Sequence, residues 1–116
     1  MGLFNIFQSK NPLKRKIKTI EEEMKKIISM NFDIKFSILH YGAYDIDPKH
    51  LVFWICVDTD EIKEQLQNNN KLNQKLRNVL IKNEYPKEAI SEVYIGFESQ
   101  ETVDRESNGD WYLHFK

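Results

Sequence analysis

With 116 residues, 41% of them hydrophobic and 30% charged, the chain has the composition of one globular domain and not of a disordered one. A formal net charge of −1 argues against a nucleic-acid binder working by bulk positive charge. The single cysteine excludes an internal disulfide and a Cys-based metal site.

No apolar run reaches membrane-spanning length, so no integral membrane segment is expected and the chain reads as a cytoplasmic protein. Its richness in Lys, Asn and Ile is that of an AT-rich bacterial genome. Charge is segregated along the chain. Residues 10–26 hold seven cations against three glutamates, and residues 84–110 hold eight anions against Lys87 and Arg105.

Leu3, Phe4, Ile6 and Phe7 make a short apolar tag, too brief for a signal-peptide core. Gly2 opens like a myristoylation site, but Ile6 stands where Ser or Thr is needed. Residues 1–10 are read as an N-terminal apolar flap or tail packing on the domain, ahead of a weak membrane or partner anchor; residues 11–116 are read as a single α+β domain.

Asn11-Pro12 suits a helix start. Leu13, Ile17, Ile20, Met24, Ile27 and Ile28 then recur at steps of three and four, which predicts an amphipathic helix ending near Met30 or Asn31. Phe32, Ile34, Phe36 and Ile38 alternate with polar residues and predict a half-buried strand. A turn-forming loop from Tyr41 to His50, with Gly42 and Pro48, leads to the strongest strand signal, Leu51 to Val57. There both parities are apolar, the pattern of a strand covered on each face. The two strands are expected to form an antiparallel hairpin.

Asp58 or Thr59 is placed as cap of the next helix, whose stripe is Ile62, Leu66, Leu76, Val79 and Leu80. Leu72 falls off that stripe and Asn68-Asn69-Asn70 is poor helix material, so a kink or break is expected. Ala89 to Glu98 reads as a strand, residues 99–107 as a short helix begun at Ser99 and closed by Gly109. Trp111, Leu113 and Phe115 alternate with Tyr112, His114 and Lys116 and predict a last strand. The fold class is therefore α+β in the order αββαββ, with a four-stranded, mainly antiparallel sheet and two helices packed on one face. The helices would cover Phe36, Phe53, Ile95 and Leu113, leaving Trp54, Cys56, Tyr94, Tyr112 and His114 on the other face.

Two surfaces stand out. The aromatic face, with Trp54, Tyr94, Tyr112 and His114, suits a binding surface or a dimer interface. The acidic loop, with Glu98, Glu101, Asp104, Glu106 and Asp110, suits docking on a basic protein. Catalytic signals are weak. His40, His50 and His114 lie near Asp45, Asp47 and Asp58 without metal or triad spacing. Cys56 sits among apolar neighbours that disfavour a thiolate, and the glycines at 2, 42, 96 and 109 form no phosphate loop. The expectation is a protein-binding domain that is not an enzyme and has no cofactor, metal or nucleic-acid partner. Its concrete form is an immunity or inhibitor-type protein masking a basic toxin or nuclease. The alternatives are a small-molecule-binding or enzymatic domain using the aromatic face, and a homodimeric structural module.

Overall fold

The computed structural model describes residues 12–116; the flap expected of residues 1–10 lies outside the described residues. Helix α1 runs Pro12–Asn31 and buries Ile17, Ile20, Met24 and Ile28 completely, the side chains that the three- and four-residue spacing aligned. Each such burial contributes about 1.5–3 kcal/mol. After an extended stretch come β1, Phe36–Tyr41, and β2, Val52–Val57, paired antiparallel with Ile38 opposite Ile55 and Leu39 opposite Trp54.

Their connection turns at Gly42, whose φ of +115° suits only glycine and whose Cβ would collide with the His50 carbonyl. It then makes a 3-10 turn, Pro48–His50, started by Asp47 accepting from the Lys49 amide at 3.0 Å.

Two helices follow. Helix α2, Asp60–Gln67, is capped by Thr59, and α3, Asn70–Lys82, by Asn69. The break between them is fastened by Asn73, whose Nδ2 donates to the carbonyls of Leu66 at 3.0 Å and Asn69 at 2.8 Å. Restarting the helix shifts its phase, and Leu72 joins the core. A 3-10 turn, Ile90–Glu92, leads into β3, Tyr94–Ser99, which lies beside β2 in parallel with Phe97 opposite Ile55. The chain then forms α4, Gln100–Ser107, and one turn of helix, α5, Trp111–His114.

The architecture corrects the expected sheet. It has three strands in the order β1-β2-β3, mixed in direction, and five α-helices among the described residues. Residues 111–116 add no fourth strand. Asp110 caps α5 by accepting from the Leu113 amide at 3.1 Å, and the single turn folds across the sheet. The strand expected from Ala89 to Glu98 begins only at Tyr94 because Ala89 to Val93 close into a turn. A parallel β2–β3 pair needs a long crossover, and α2 with α3 supplies it.

The core lies between the sheet's first face and α1, α2 and α3, with Phe53, Ile55 and Val57 of β2 meeting Ile20, Leu66 and Leu76 of the helices. Leu113, expected in that core, is instead exposed on α5.

Candidate functional site

Strand alternation sends Tyr41, Trp54, Cys56, Tyr94 and Glu98 to the second face of the sheet, away from the three helices. At its centre is Gly96, opposite Trp54. A Cβ there would sit 2.8 Å from Trp54 Cζ3 and clash with the Tyr94 ring, so glycine is what lets these two rings close over the strand at 5.1 Å between centroids. Trp54 Nε1 donates to the Tyr41 hydroxyl at 2.8 Å.

The tail after α4 completes this ledge. Asn108 and Gly109, both at positive φ, turn the chain back, and α5 brings Trp111, His114 and Phe115 over the sheet. Phe115 stacks on Trp54, centroids 4.7 Å apart and planes 22° from parallel. Trp111 Nε1 donates to Gln100 Oε1 at 2.8 Å. Around the stacked pair Tyr41, Tyr94, Tyr112 and Leu113 remain 40%, 51%, 75% and 57% exposed. A groove of about 370 Å³ runs between Leu39, Tyr41, Trp111, Tyr112, Phe115 and Lys116.

Beside the ledge lies a polar knot, where the carboxyl ends of the parallel strands meet the amino ends of α2 and α4. Glu98 is only 9% exposed. Its Oε1 accepts from Lys63 Nζ at 3.0 Å and from the Ser99 amide at 2.9 Å, and its Oε2 faces His114 Nε2 at 2.7 Å. His114 Nδ1 meets Ser107 Oγ at 3.0 Å. In the neutral ring one tautomer serves both contacts, Nε2–H donating to the carboxylate and Nδ1 accepting from the hydroxyl.

Burial works to raise the Glu98 pKa, but the bonds from His114, the Ser99 amide and Lys63 outweigh it and hold the carboxyl below its usual range. Asp60 is held lower still by hydrogen bonds from Ser99 and Thr102 and by the Arg105 guanidinium. In return Glu101 accepts from the Asp60 amide at 2.7 Å, so each helix's first-turn acid is bonded to the other helix, Glu101 to a backbone amide and Asp60 to the Ser99 and Thr102 hydroxyls.

The anticipated acidic loop is therefore divided. Glu98 lies inside the knot and offers no charge to a partner. Glu101, Asp104 and Glu106 are exposed on α4, Glu101 and Asp104 on one side and Glu106 on the other, with Asp104 also accepting from Gln100 at 2.9 Å, and Asp110 caps α5. Of the anticipated aromatic face, Trp54 and Tyr94 lie on the sheet, while Tyr112 and His114 reach that side from a helix. Tyr112 points to solvent and His114 is tucked beneath, 5.4 Å from the Phe115 ring.

Sequence reading missed Asp60, Lys63, Thr102 and Arg105. The signals were Asp60 in the first turn of a helix beginning at Thr59, with Lys63 three residues on, and Ser99 followed by Thr102 and Arg105 at helical spacing. The Cys56 thiol is pushed up to about 11 by burial. Among the described residues no group of three or more His, Cys, Asp or Glu could hold a metal ion, and no helix is long and apolar enough to cross a membrane. Compared with protein-family models, curated proteins and solved structures, the chain finds no match.

Proposed function

We propose that this chain is a protein-binding domain whose contact surface is the aromatic ledge with the exposed acids of α4, and that its partner is a basic protein which it masks as an inhibitor or immunity protein does. The observation that carries this reading is the exposure of Tyr41, Tyr94, Tyr112 and Leu113 around a rigid Trp54–Phe115 stack. Aromatic side chains anchored this way offer large contact area with little entropy left to lose, the character of interface hot spots. The exposed carboxylates of Glu101, Asp104 and Glu106 on α4 supply a complementary field for a cationic partner and speed encounter.

Binding is favoured over catalysis by the use of the polar groups. Ser107, His114 and Glu98 make a hydroxyl–imidazole–carboxylate string, but they hold α5 down, and the walls of the groove include neither Ser107 nor His114. A small apolar ligand in that groove is the second reading, favoured by its volume and its mostly apolar walls.

The test is affinity capture from the native host, followed by titration of the purified prey against wild type, Tyr112→Ala and the double reversal Asp104→Lys, Glu106→Lys, which spares Glu101 and its bond to the Asp60 amide. A basic prey whose affinity falls about tenfold or more in each variant, and falls with added salt, supports the proposal. A prey bound equally by all three proteins, or an acidic prey, overturns it.

A further inference from the structure

Helices α1 and α3 cover the opposite side of the molecule from the ledge, running antiparallel. Lys16 Nζ donates to the Glu84 carbonyl at 2.8 Å and Lys82 pairs with Glu23 at 3.2 Å, while Lys26 and Ile27 lie across from Lys75 and Val79. The pair is strongly cationic. Within its bounds α1 carries six cations against three glutamates, and α3 carries four cations and no acid. Lys16, Lys25, Arg77 and Lys82 are engaged: Lys25 pairs with Glu21 at 3.8 Å, and Arg77 turns inward to the Ile90 carbonyl at 2.8 Å. The side chains of Lys14, Arg15, Lys18, Lys26, Lys71 and Lys75 are exposed and make no ion pair among the described residues.

Between the helices runs a groove of about 440 Å³ whose floor is Ile27 and Val79 and whose rim is Glu23, Lys26, Lys75, Asn78 and Lys82; the Glu23–Lys82 pair cancels, and Lys26 and Lys75 leave the rim net positive. Met30, three residues on from Ile27 and so on the same side of α1, is 85% exposed.

We infer that the α1–α3 groove binds an acidic amphipathic segment of another protein. Its apolar side chains would seat on Ile27, Val79 and Met30, and its carboxylates would lie along the lysine rim. Charge complementarity fixes the sign of the occupant. The apolar floor fixes its kind, because a helix laid in a groove is held by apolar anchors at helical spacing, whereas a phosphate backbone has nothing to place there. Five of the six unpaired cations are lysines, and the bidentate phosphate fork that arginine provides is present only at Arg15. A second copy of the chain fits poorly, since its acidic helix α4 has Val103 fully buried and offers no apolar stripe to seat.

The experiment is fluorescence anisotropy with the full 116-residue chain and four probes. They are a labelled helical Leu/Glu peptide of about 15 residues, an oligo-Glu peptide of equal charge, a DNA duplex, and vesicles containing an anionic phospholipid. The Leu/Glu peptide is expected to bind best, to weaken about tenfold between about 0.05 and about 0.3 M salt, and to lose about tenfold in affinity on Lys26→Glu with Lys75→Glu. Both substitutions are at exposed positions, and an unchanged circular-dichroism melt certifies the fold. Met30→Ser is expected to weaken the Leu/Glu peptide and leave oligo-Glu unaffected. No binding of the peptide, equal binding of oligo-Glu, indifference to the lysine reversals, or tighter binding of the duplex or vesicles each overturns the inference.

Discussion

Glu98→Gln tests the polar knot directly, because it keeps the side chain's shape and removes its charge. Two charge-assisted contacts weaken, from Lys63 at 3.0 Å and His114 at 2.7 Å, while the Ser99 amide at 2.9 Å can still find an amide oxygen. Removing one member of a fully buried pair costs about 3–5 kcal/mol. Here the Lys63 side chain is 20% exposed and keeps its bond to Thr102 at 2.9 Å, so the expected loss is smaller, about 2–3 kcal/mol. Urea unfolding followed by Trp fluorescence should then show the midpoint falling by about 1–2 M at unchanged slope.

The sign with pH follows from the depressed carboxyl pKa. Such a group adds stability above its unfolded value, about 4.3, and loses it as pH falls through the folded value. The gap between wild type and variant should therefore be full at neutral pH and close on acidification. A loss below about 0.5 kcal/mol, or a gap that does not narrow as pH falls below about 4.3, would refute the assignment of Glu98 as the knot's charged centre.

Gly96→Ala pushes a methyl group between the Trp54 and Tyr94 rings, and is expected to destabilise by about 1–3 kcal/mol and shift Trp emission to the red as the ledge opens. Asn73→Ala loosens the break between α2 and α3 by removing the side-chain donor to the Leu66 and Asn69 carbonyls, which keep only the Asn69 and Asn73 backbone amides; a fall of about 0.5–1.5 kcal/mol in thermal or urea unfolding is expected, and no change would mean that the backbone amides alone hold the break. Ile55→Ala, at a fully buried position facing the helices, should cost about 2–5 kcal/mol by chemical denaturation. Cys56, with its thiol pushed up to about 11, should resist a thiol-reactive dye at about pH 8 in native buffer and react at once in denaturant. Rapid native labelling would mean that the second face is open over β2.

The elements most legible in the sequence were those whose periodicity is long or whose caps are strong. Twenty residues of α1 carry an unambiguous helical stripe, and Ser99 announces α4 by its own side chain, which accepts from the Thr102 amide at 3.1 Å. Both faces of β2 were read as covered, and the cover on the second face is α5. The tail misled because three alternating apolar residues cannot tell a strand from one helical turn. Trp111 and Phe115 stand four apart, which serves a helix as well as a strand, and the Asp110 cap decides the matter. Glu98 misled for a tertiary reason. At a strand end in an acidic stretch it resembles a solvated charge, and it is buried only because Lys63 arrives from α2 and His114 from α5. Chain direction in β3 was hidden likewise, since it depends on where two intervening helices pack.

The reciprocal bonding between the first turns of α2 and α4 has a consequence for motion. A helix ordinarily frays from its ends, each end on its own. Here the first turn of α2 holds its Asp60 amide on Glu101, and the first turn of α4 holds Ser99 and Thr102 on Asp60, across 39 to 42 residues of chain. Neither amino end can open without stripping a partner from the other. In hydrogen exchange the two turns should behave as one cooperative unit, opening together and at a free energy well above that of an exposed helix end.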